Sequence, residues 1–416
     1  MAKSQHHTVV KGDSVAAIAR KYGSTIALIA TANQMDNPAL IRVGDVLCVP
    51  VPTSATPPVE PPVVPPKPPA TGKSVKDFGA SGNGASDDQA AIQRALDSLR
   101  PNETLLFPPG VYKHSDVLTV RTADVLISGL GATLHASNEA RSSFHIDGDR
   151  VTVEGLTFNA TTTRRWDAYE QHRVRFTGNV GVTLTNVQVL GSAASGIFID
   201  GGASNFLLQD VLVRNTRADG IHMTGNAHDG RVLRARVDKA GDDGIAVVSY
   251  GSQNCKNIKI DSPRVVGGSH GRGLSVVGGE NIVYTDVFVE TSDAAGLYLA
   301  CESSYSTAGV KNVSVTSGTF LRCNTDSAID HGAILVYSSR SGKSVSDITL
   351  ANLEVKETRT SASASVRIIH EGGGTVSNVL LRNVAVTGGP RYPFSSTASG
   401  VYSITGSTHN GTPFSK

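Results

Sequence analysis

The chain has 416 residues, enough for two or three domains, with 43 glycines, 5% aromatic and 18% charged residues. That composition suits a glycine-rich β protein better than a helical one. A net charge of +2 gives no reason to expect nucleic acid as a partner, and no apolar run approaches the length of a membrane span. The cysteines Cys48, Cys255, Cys301 and Cys323 lack zinc-ligand spacing and read as buried free thiols, so no metal site is expected from them.

The first residues, MAKSQHHTVVKGD, lack the charged-then-apolar pattern of a signal peptide. Release by another route, such as lysis inside a virus particle, or a replaced leader is the expectation. HTVVKGDS (7–14) reads as a strand and turn, with Asp13 or Ser14 placed to cap a following helix. VAAIARKYG (15–23) has helical apolar spacing at Val15, Ile18 and Ala19, and Gly23 is a suitable stop. Ile26, Leu28 and Ile29 give a second short helix, and NPALIRVGDVLCVP (37–50) turns back as a strand. Residues 1–50 thus resemble a LysM module over nearly its full length. The resemblance implies a βααβ fold that binds N-acetylglucosamine-containing glycans such as peptidoglycan or chitin. It places the binding loops at Gly12, Asp13 and Ser14 and at Asn37, Pro38, Ala39, Leu40 and Ile41. A module of this shape used only for docking to protein is the alternative.

Residues 51–72, VPTSATPPVEPPVVPPKPPATG, form a proline-rich linker. Proline removes backbone donors and favours an extended conformation of ~3.1 Å per residue, a semi-rigid spacer of up to roughly 60 Å.

From Lys73 the large domain begins. SVKDFGASGNGASDDQAAIQRALDSL (74–99) couples a short strand, a glycine-rich turn and an amphipathic helix over 87–99, with Asp87 or Asp88 as its cap. TLLFPPGVY (104–112) then returns as a strand. An open first coil needs its edge covered, and the helix does that. This segment resembles the start of the pectate-lyase-like β-helix proteins, which include virus-borne polysaccharide depolymerases. That likeness leaves a homotrimer or a virion component open, and an extracellular or virion-associated location.

The centre of the domain repeats itself. SGIFID (195–200), DGIHMT (219–224), DGIAVV (243–248), RGLSVV (272–277) and AGLYLA (295–300) share a variable residue, a glycine, then apolar–variable–apolar. The first three copies are 24 residues apart, and VTLTNVQV, FLLQDVLV and VLRARV keep the same phase. A period of this length with strand-type alternation and glycine corners predicts a parallel β-helix, one coil per repeat, over 73–387, and the pectate-lyase-like resemblance implies that it is right-handed. Alternate residues face opposite sides, so Ile197, Ile221, Ile245, Leu274 and Leu297 stack inside. Phe198, His222, Ala246, Ser275 and Tyr298 form an outward stripe.

An insertion, TTTRRWDAYEQ (161–171), carries Trp166, Tyr169 and two arginines. These suit stacking on sugar rings and pairing with acidic sugars, or a loop packing its Trp onto the coil. Later coils follow at irregular intervals through VLLRNVAV (379–386). Residues 388–416 read as a C-terminal cap or an intersubunit segment.

Strands ~4.8 Å apart bring Asp219, Asp242 and Asp243 together on adjacent coils. NTRADGIHM and AGDDGIAVVS resemble the aspartate strands of polygalacturonase-type glycoside hydrolases. By that resemblance Asp242 protonates the leaving oxygen, while Asp219 and Asp243 hold the attacking water in an inverting mechanism with donor and base ~6.5–9.5 Å apart. The chain departs from the family in three places: two residues separate Asn215–Thr216 from Asp219, so only the Asp-Gly core of that motif is intact, and the other two lie further on. Arg272 stands where the family has a histidine, with His270 two residues earlier, and Tyr298–Ala300 replaces a carboxylate-gripping Arg-Ile-Lys. His222, His270, Arg272, Tyr298 and Trp166 are the candidate substrate contacts. The first expectation is therefore a polysaccharide depolymerase without a cofactor, held to the cell envelope by its LysM module. A lyase with Ca²⁺ on the aspartates and Arg272 or His222 as base is one alternative. A non-enzymatic receptor-binding spike or wall-bound adhesin is the other.

Overall fold

A computed structural model describes residues 3–10, 13, 15, 18, 22, 29, 32–33, 35, 41–51 and 71–414. The chain divides into two compact units, Met1–Pro69 and Ala70–Lys416.

In the first unit Lys3–Thr8 pairs antiparallel with Val46–Val51. Val9, Val15, Ile18, Ile29, Leu47 and Val49 are buried together, with Tyr22, Met35 and Ile41 packed against them. Val15, Ile18, Tyr22, Ile29 and Ala32 are helical, so the expected apolar spacing lies on a helix. Asp13 serves the fold: its carboxylate accepts from the Val10 amide at 2.9 Å and meets His7 Nε2 at 2.7 Å. Ile41 likewise packs on the core. Gly12, Ser14, Asn37, Pro38, Ala39 and Leu40 lie outside the described residues, as does most of the linker.

The second unit is a right-handed parallel β-helix. One face of every coil joins an eleven-stranded parallel sheet that runs from Leu118–Val120 to Phe394–Ser396. Ile197, Ile221, Ile245, Leu274 and Leu297 stand in one register, and Ile199, Met223, Val247, Val276 and Leu299 in the next inward row. All ten are fully buried. The repeat is thus a stack of apolar rungs, each removing its side chain from water against the rungs above and below.

The corners are made differently from the sequence expectation. The repeat glycines are not left-handed; they permit close approach. A Cβ on Gly220 would sit 2.6 Å from the Gly244 carbonyl oxygen, and one on Gly244 would sit 2.5 Å from that of Gly273. The left-handed corners fall to short polar residues, which bear that conformation better than most side chains do. One column holds Asn186, Asp210, Arg234, Ser262 and Asp286, with φ between 48° and 54°. A second holds Asn205, Asp229, Asn257, Asn281 and Asn312. There, side chains hydrogen-bond from coil to coil, Asn257 to Asp229 at 2.9 Å, Asn281 to Asn257 at 3.0 Å and Asn312 to Asn281 at 2.7 Å.

The N-terminal helix spans Gln89–Asp97 and buries Ala91, Ile92, Ala95 and Leu96. Asp87, not Asp88, takes the Gln89 amide at 3.0 Å. Asp88 is buried and ties down the preceding turn, accepting from Ser81 and Gly82 amides at 2.7 and 3.0 Å. At the other end the repeat does not stop at Gly388. Phe394–Ser396 and Tyr402–Thr405 add strands to both sheets, and Thr408–His409 closes against Thr412–Pro413 in an antiparallel pair. The sequence hides this coil because its strands are short and polar.

Candidate active site

Five successive coils bring the outward stripe to one face of the eleven-stranded sheet. Most of it is not free surface: Phe198, Ala246, Ser275 and Tyr298 are all buried under neighbouring side chains. Three cavities run edge to edge along this face. The first and second share Arg165, Asp219, His222 and Tyr250, and the second and third share Glu302. Together they form a groove along the coil axis.

Asp219, Asp242 and Asp243 meet in the central cavity, each offering an oxygen within 4.8 Å of the others. They stand just before the strands Ile221–Met223 and Ile245–Val248. The Gly220 amide donates to the Asp243 carbonyl at 2.9 Å, and this fixes the stacking of the two coils. Gly271 leaves room for the cluster: a Cβ there would lie 2.5 Å from Oδ1 of both Asp242 and Asp243.

The three carboxyls have different surroundings. Asp243 is 3% exposed. Its Oδ1 accepts from the Arg272 amide at 2.8 Å, and its Oδ2 accepts from Ser275 Oγ at 2.6 Å. Burial pushes its pKa up to about 6; Arg272 opposes this and the charges of Asp219 and Asp242 reinforce it. Asp219 accepts from the Asp243 amide at 2.9 Å and pairs with His222 Nδ1. Burial would raise its pKa, but the hydrogen bond and charge of His222, the Asp243 amide and Arg272 outweigh that and lower it. Asp242 is the most open, its side chain 33% exposed, with Oδ2 accepting from Arg165 Nη1 at 2.8 Å. Among the described residues nothing hydrogen-bonds to its Oδ1.

His222 lines both the first and the central cavity. Its ring stacks on Phe198 at 5.3 Å, and Phe198 stacks on His172 at 3.9 Å. Burial, with the charges of His222 and Arg175, pushes the His172 pKa down to about 3, so it stays uncharged. Arg272 faces Asp243, Nε to Oδ1 at 3.2 Å, and its guanidinium lies over Tyr298 at 4.9 Å. Burial works against its charge, yet Asp243, Tyr298, Glu302 and Asp242 raise its pKa above the usual arginine value.

Tyr298 is held between coils, with Arg272 before it and His331, stacked at 5.3 Å, after it. Its hydroxyl donates to Glu302 at 2.7 Å. Its ring is therefore committed to protein, and it is 3% exposed. His270 is apart from the aspartates: its side chain is 80% exposed and meets Asp293 at 3.1 Å. Trp166 lines none of the three cavities; Arg164 covers its ring at 3.7 Å. Of the insertion, Arg165, Asp167 and Tyr169 line the groove and Arg165 reaches the aspartates; the sequence reading counted it only as one of two arginines and gave it no place in the site. Its signal was its place in a loop rich in arginine, beside the tryptophan that drew attention. Ser275 was visible in the outward stripe, but its bond to Asp243 was not.

Residues 7–50 match the LysM domain model, and residues 73–233 match that of the rhamnogalacturonase A/epimerase, pectate lyase-like family. A 55-residue stretch is 44% identical to N-acetylmuramoyl-L-alanine amidase XlyA of Bacillus subtilis, covering 13% of this chain and 18% of the amidase. Over 280 residues the chain is 26% identical to a probable endopolygalacturonase of Neosartorya fischeri, covering 59% of this chain and 70% of that protein. Among solved structures, the catalytic unit of a GH87 alpha-1,3-glucanase from Streptomyces thermodiastaticus superposes with a TM-score of 0.63 at 16% identity, covering 88% of this chain and 72% of that one. The N-terminal unit is thus similar to LysM domains, and the β-helical unit is similar to the pectate-lyase-like family over 73–233 and to a probable endopolygalacturonase.

Proposed function

We propose that the β-helical domain hydrolyses glycosidic bonds of a cell-envelope polysaccharide, and that the LysM domain holds it on peptidoglycan or a chitin-like glycan. The observation that carries this is the triad itself. Three carboxyls converge in a groove, one of them keeps a proton toward neutral pH, and one presents an unbonded oxygen to the cavity. Like charges this close cannot all ionise cheaply, and after burial the charges of Asp219 and Asp242 help to keep the proton on Asp243.

Asp242 takes the donor role in this reading because it lines the central cavity and its Oδ1 alone has no hydrogen-bond partner among the described residues, while the proton held toward neutral pH sits on the neighbouring Asp243 and must pass to it. Asp219 and Asp243 orient the water. Their oxygens lie nearer to Asp242 than the ~6.5–9.5 Å of inverting pairs, close to the ~5–5.5 Å of retaining ones. Both, however, have each oxygen engaged by a protein hydrogen bond. Those bonds hold both carboxyls in place with lone pairs left to accept from a water, and the reading is therefore attack by water with inversion.

Elimination suits the site less well. A lyase base must accept a proton, and Arg272 is kept cationic by the carboxyls around it. Three carboxylate oxygens within 4.8 Å are also a set that Ca²⁺ could share. The deciding experiment is incubation with a panel of cell-envelope glycans, with and without chelator, and analysis of the ends produced. Saturated products with new reducing ends and no response to chelator support hydrolysis; unsaturated, Ca²⁺-dependent ends would replace it with elimination.

A further inference from the structure

The groove has one sign of charge. Asp167 and Asp200 line the first cavity, Asp219 and Asp242 the centre, and Glu302 and Glu371 the far end. Against them stand the guanidinium groups of Arg165 and Arg272 and the imidazole of His222, all three already paired with carboxyls of the groove. Arg165 meets Asp242 at 2.8 Å and Asp167 at 3.1 Å, and Arg272 faces Asp243. His172 and His331 add little: burial, then the charges of His222 and Arg175, brings the pKa of His172 to about 3, and burial, then Arg272 and Arg367, that of His331 to about 4, so both are uncharged at neutrality. Arg217, Lys239 and His270 line a separate cavity that shares only Arg165 with the groove, Arg175 lies over the Tyr169 ring, and Arg367 is paired with Asp330 at 3.0 Å.

The far end adds a second observation. Tyr298 donates to Glu302 at 2.7 Å and Tyr337 donates to Glu371 at 2.5 Å. These tyrosine–glutamate pairs stand on adjacent coils, with Leu335 and Ile369 beside them. The result is an apolar floor edged by hydrogen-bond acceptors, which suits the hydroxyl and amide groups of a sugar. A carboxylate or phosphate placed there would face acceptors with no donor cation to meet it. Like-charge juxtaposition in a low-dielectric cleft repels such a ligand.

We propose that the groove selects a polysaccharide of uncharged sugars and excludes polymers bearing uronate, phosphate or sulfate. The subsite beyond the triad, at Glu302, Tyr337 and Glu371, takes a neutral hexose or N-acylated hexosamine unit. This rests on the hydrolytic reading only for the position of the scissile bond; the charge selection stands on the groove lining.

The test uses the full chain carrying Asp242→Asn, so that binding is read without turnover. Acidic cell-envelope polysaccharides free of N-acetylglucosamine are offered beside the same polymers after carboxyl reduction, together with neutral glucans. At least tenfold tighter binding to uncharged members is expected, changing less than about twofold between low and high salt, since no counter-charge is screened. Glu371→Ala should weaken that binding severalfold. Equal or tighter binding of an acidic polymer, or retention of no uncharged member, would overturn the proposal. The two readings fail separately. Native chain that binds neutral glycan yet releases no new ends refutes hydrolysis alone, whereas cleavage of a uronate polymer refutes charge selection alone.

Discussion

Arg165 Nη1 lies 2.8 Å from Oδ2 of Asp242, joining residues 77 apart in sequence. The insertion 161–171 therefore does more than decorate the coil: it fixes one oxygen of the proposed donor and leaves the other facing the groove. Arg165→Ala should lower kcat by about 10- to 100-fold through loss of that orientation, with a smaller change in KM. Arg165→Lys should restore only part, because an ammonium cannot reach Asp242 and Asp167 with the same planar fork. Unchanged kcat in the alanine variant would show that the contact has no part in turnover.

Asp242→Asn should abolish most cleavage while the protein remains folded. Loss of a general acid costs about 10²–10⁴ in rate, and the amide keeps the size of the carboxyl. The measurement is single-turnover cleavage beside a thermal melt. Wild-type rates in a variant with all three aspartates replaced would move the active site elsewhere.

The raised pKa of Asp243 has a signature in stability. A carboxyl whose folded pKa is about 6 rather than the ordinary aspartate value of 3.8 binds more protons folded than unfolded between those values. The slope of stability against pH follows the protons bound in the unfolded minus the folded state. Stability should therefore fall as pH rises from about 4 to about 6, and that loss is complete above the folded pKa. Melts of wild type and Asp243→Asn across this window should show the downward slope only in the wild type. Absolute stability of the variant is a poorer guide, because Arg272 loses its counter-charge.

Gly271→Ala should act on chemistry before it acts on folding. The backbone there is not left-handed, so the substitution brings no such strain, but the added methyl would press on Oδ1 of Asp242 and Asp243. Moving both by a few tenths of an ångström should cost at least about tenfold in kcat. Gly244→Ala should do the opposite, lowering Tm first, because its methyl meets the carbonyl of the next coil and Val265.

Removal of residues 1–69 should separate retention from cleavage. The full chain should sediment with peptidoglycan or chitin, and the shortened chain should not. Cleavage of a soluble substrate should be equal in the two. Equal sedimentation would assign wall binding to the β-helix instead.

The coil stack was legible because its cause is local and periodic: Ile197, Ile221 and Ile245 recur at one spacing, and parallel pairing turns that spacing into a column. The aspartates were legible for the same reason. Tyr298 was misread as a sugar platform because its column position shows only that it points outward. It does not show that Arg272 and His331 from neighbouring coils cover it. Arg165 was missed because an insertion has no register to carry it to Asp242. The last coil escaped because Phe394–Ser396 and Tyr402–Thr405 offer few apolar rungs.

The register of the eleven-stranded sheet makes the groove a ruler. Asp219, Asp243, Arg272 and Tyr298 belong to successive coils, so their spacing along the axis is that of backbone hydrogen bonds, ~4.8 Å per step. Side-chain replacement can change what each step reads, but not the length of the step. A 24-residue coil inserted between Asp219 and Asp243 would part the triad by one graduation and end catalysis. The same coil added after His370 would lengthen the groove and leave the triad as it is. Chain length of the preferred oligosaccharide, rather than its reactivity, would be the property that such an insertion shifts.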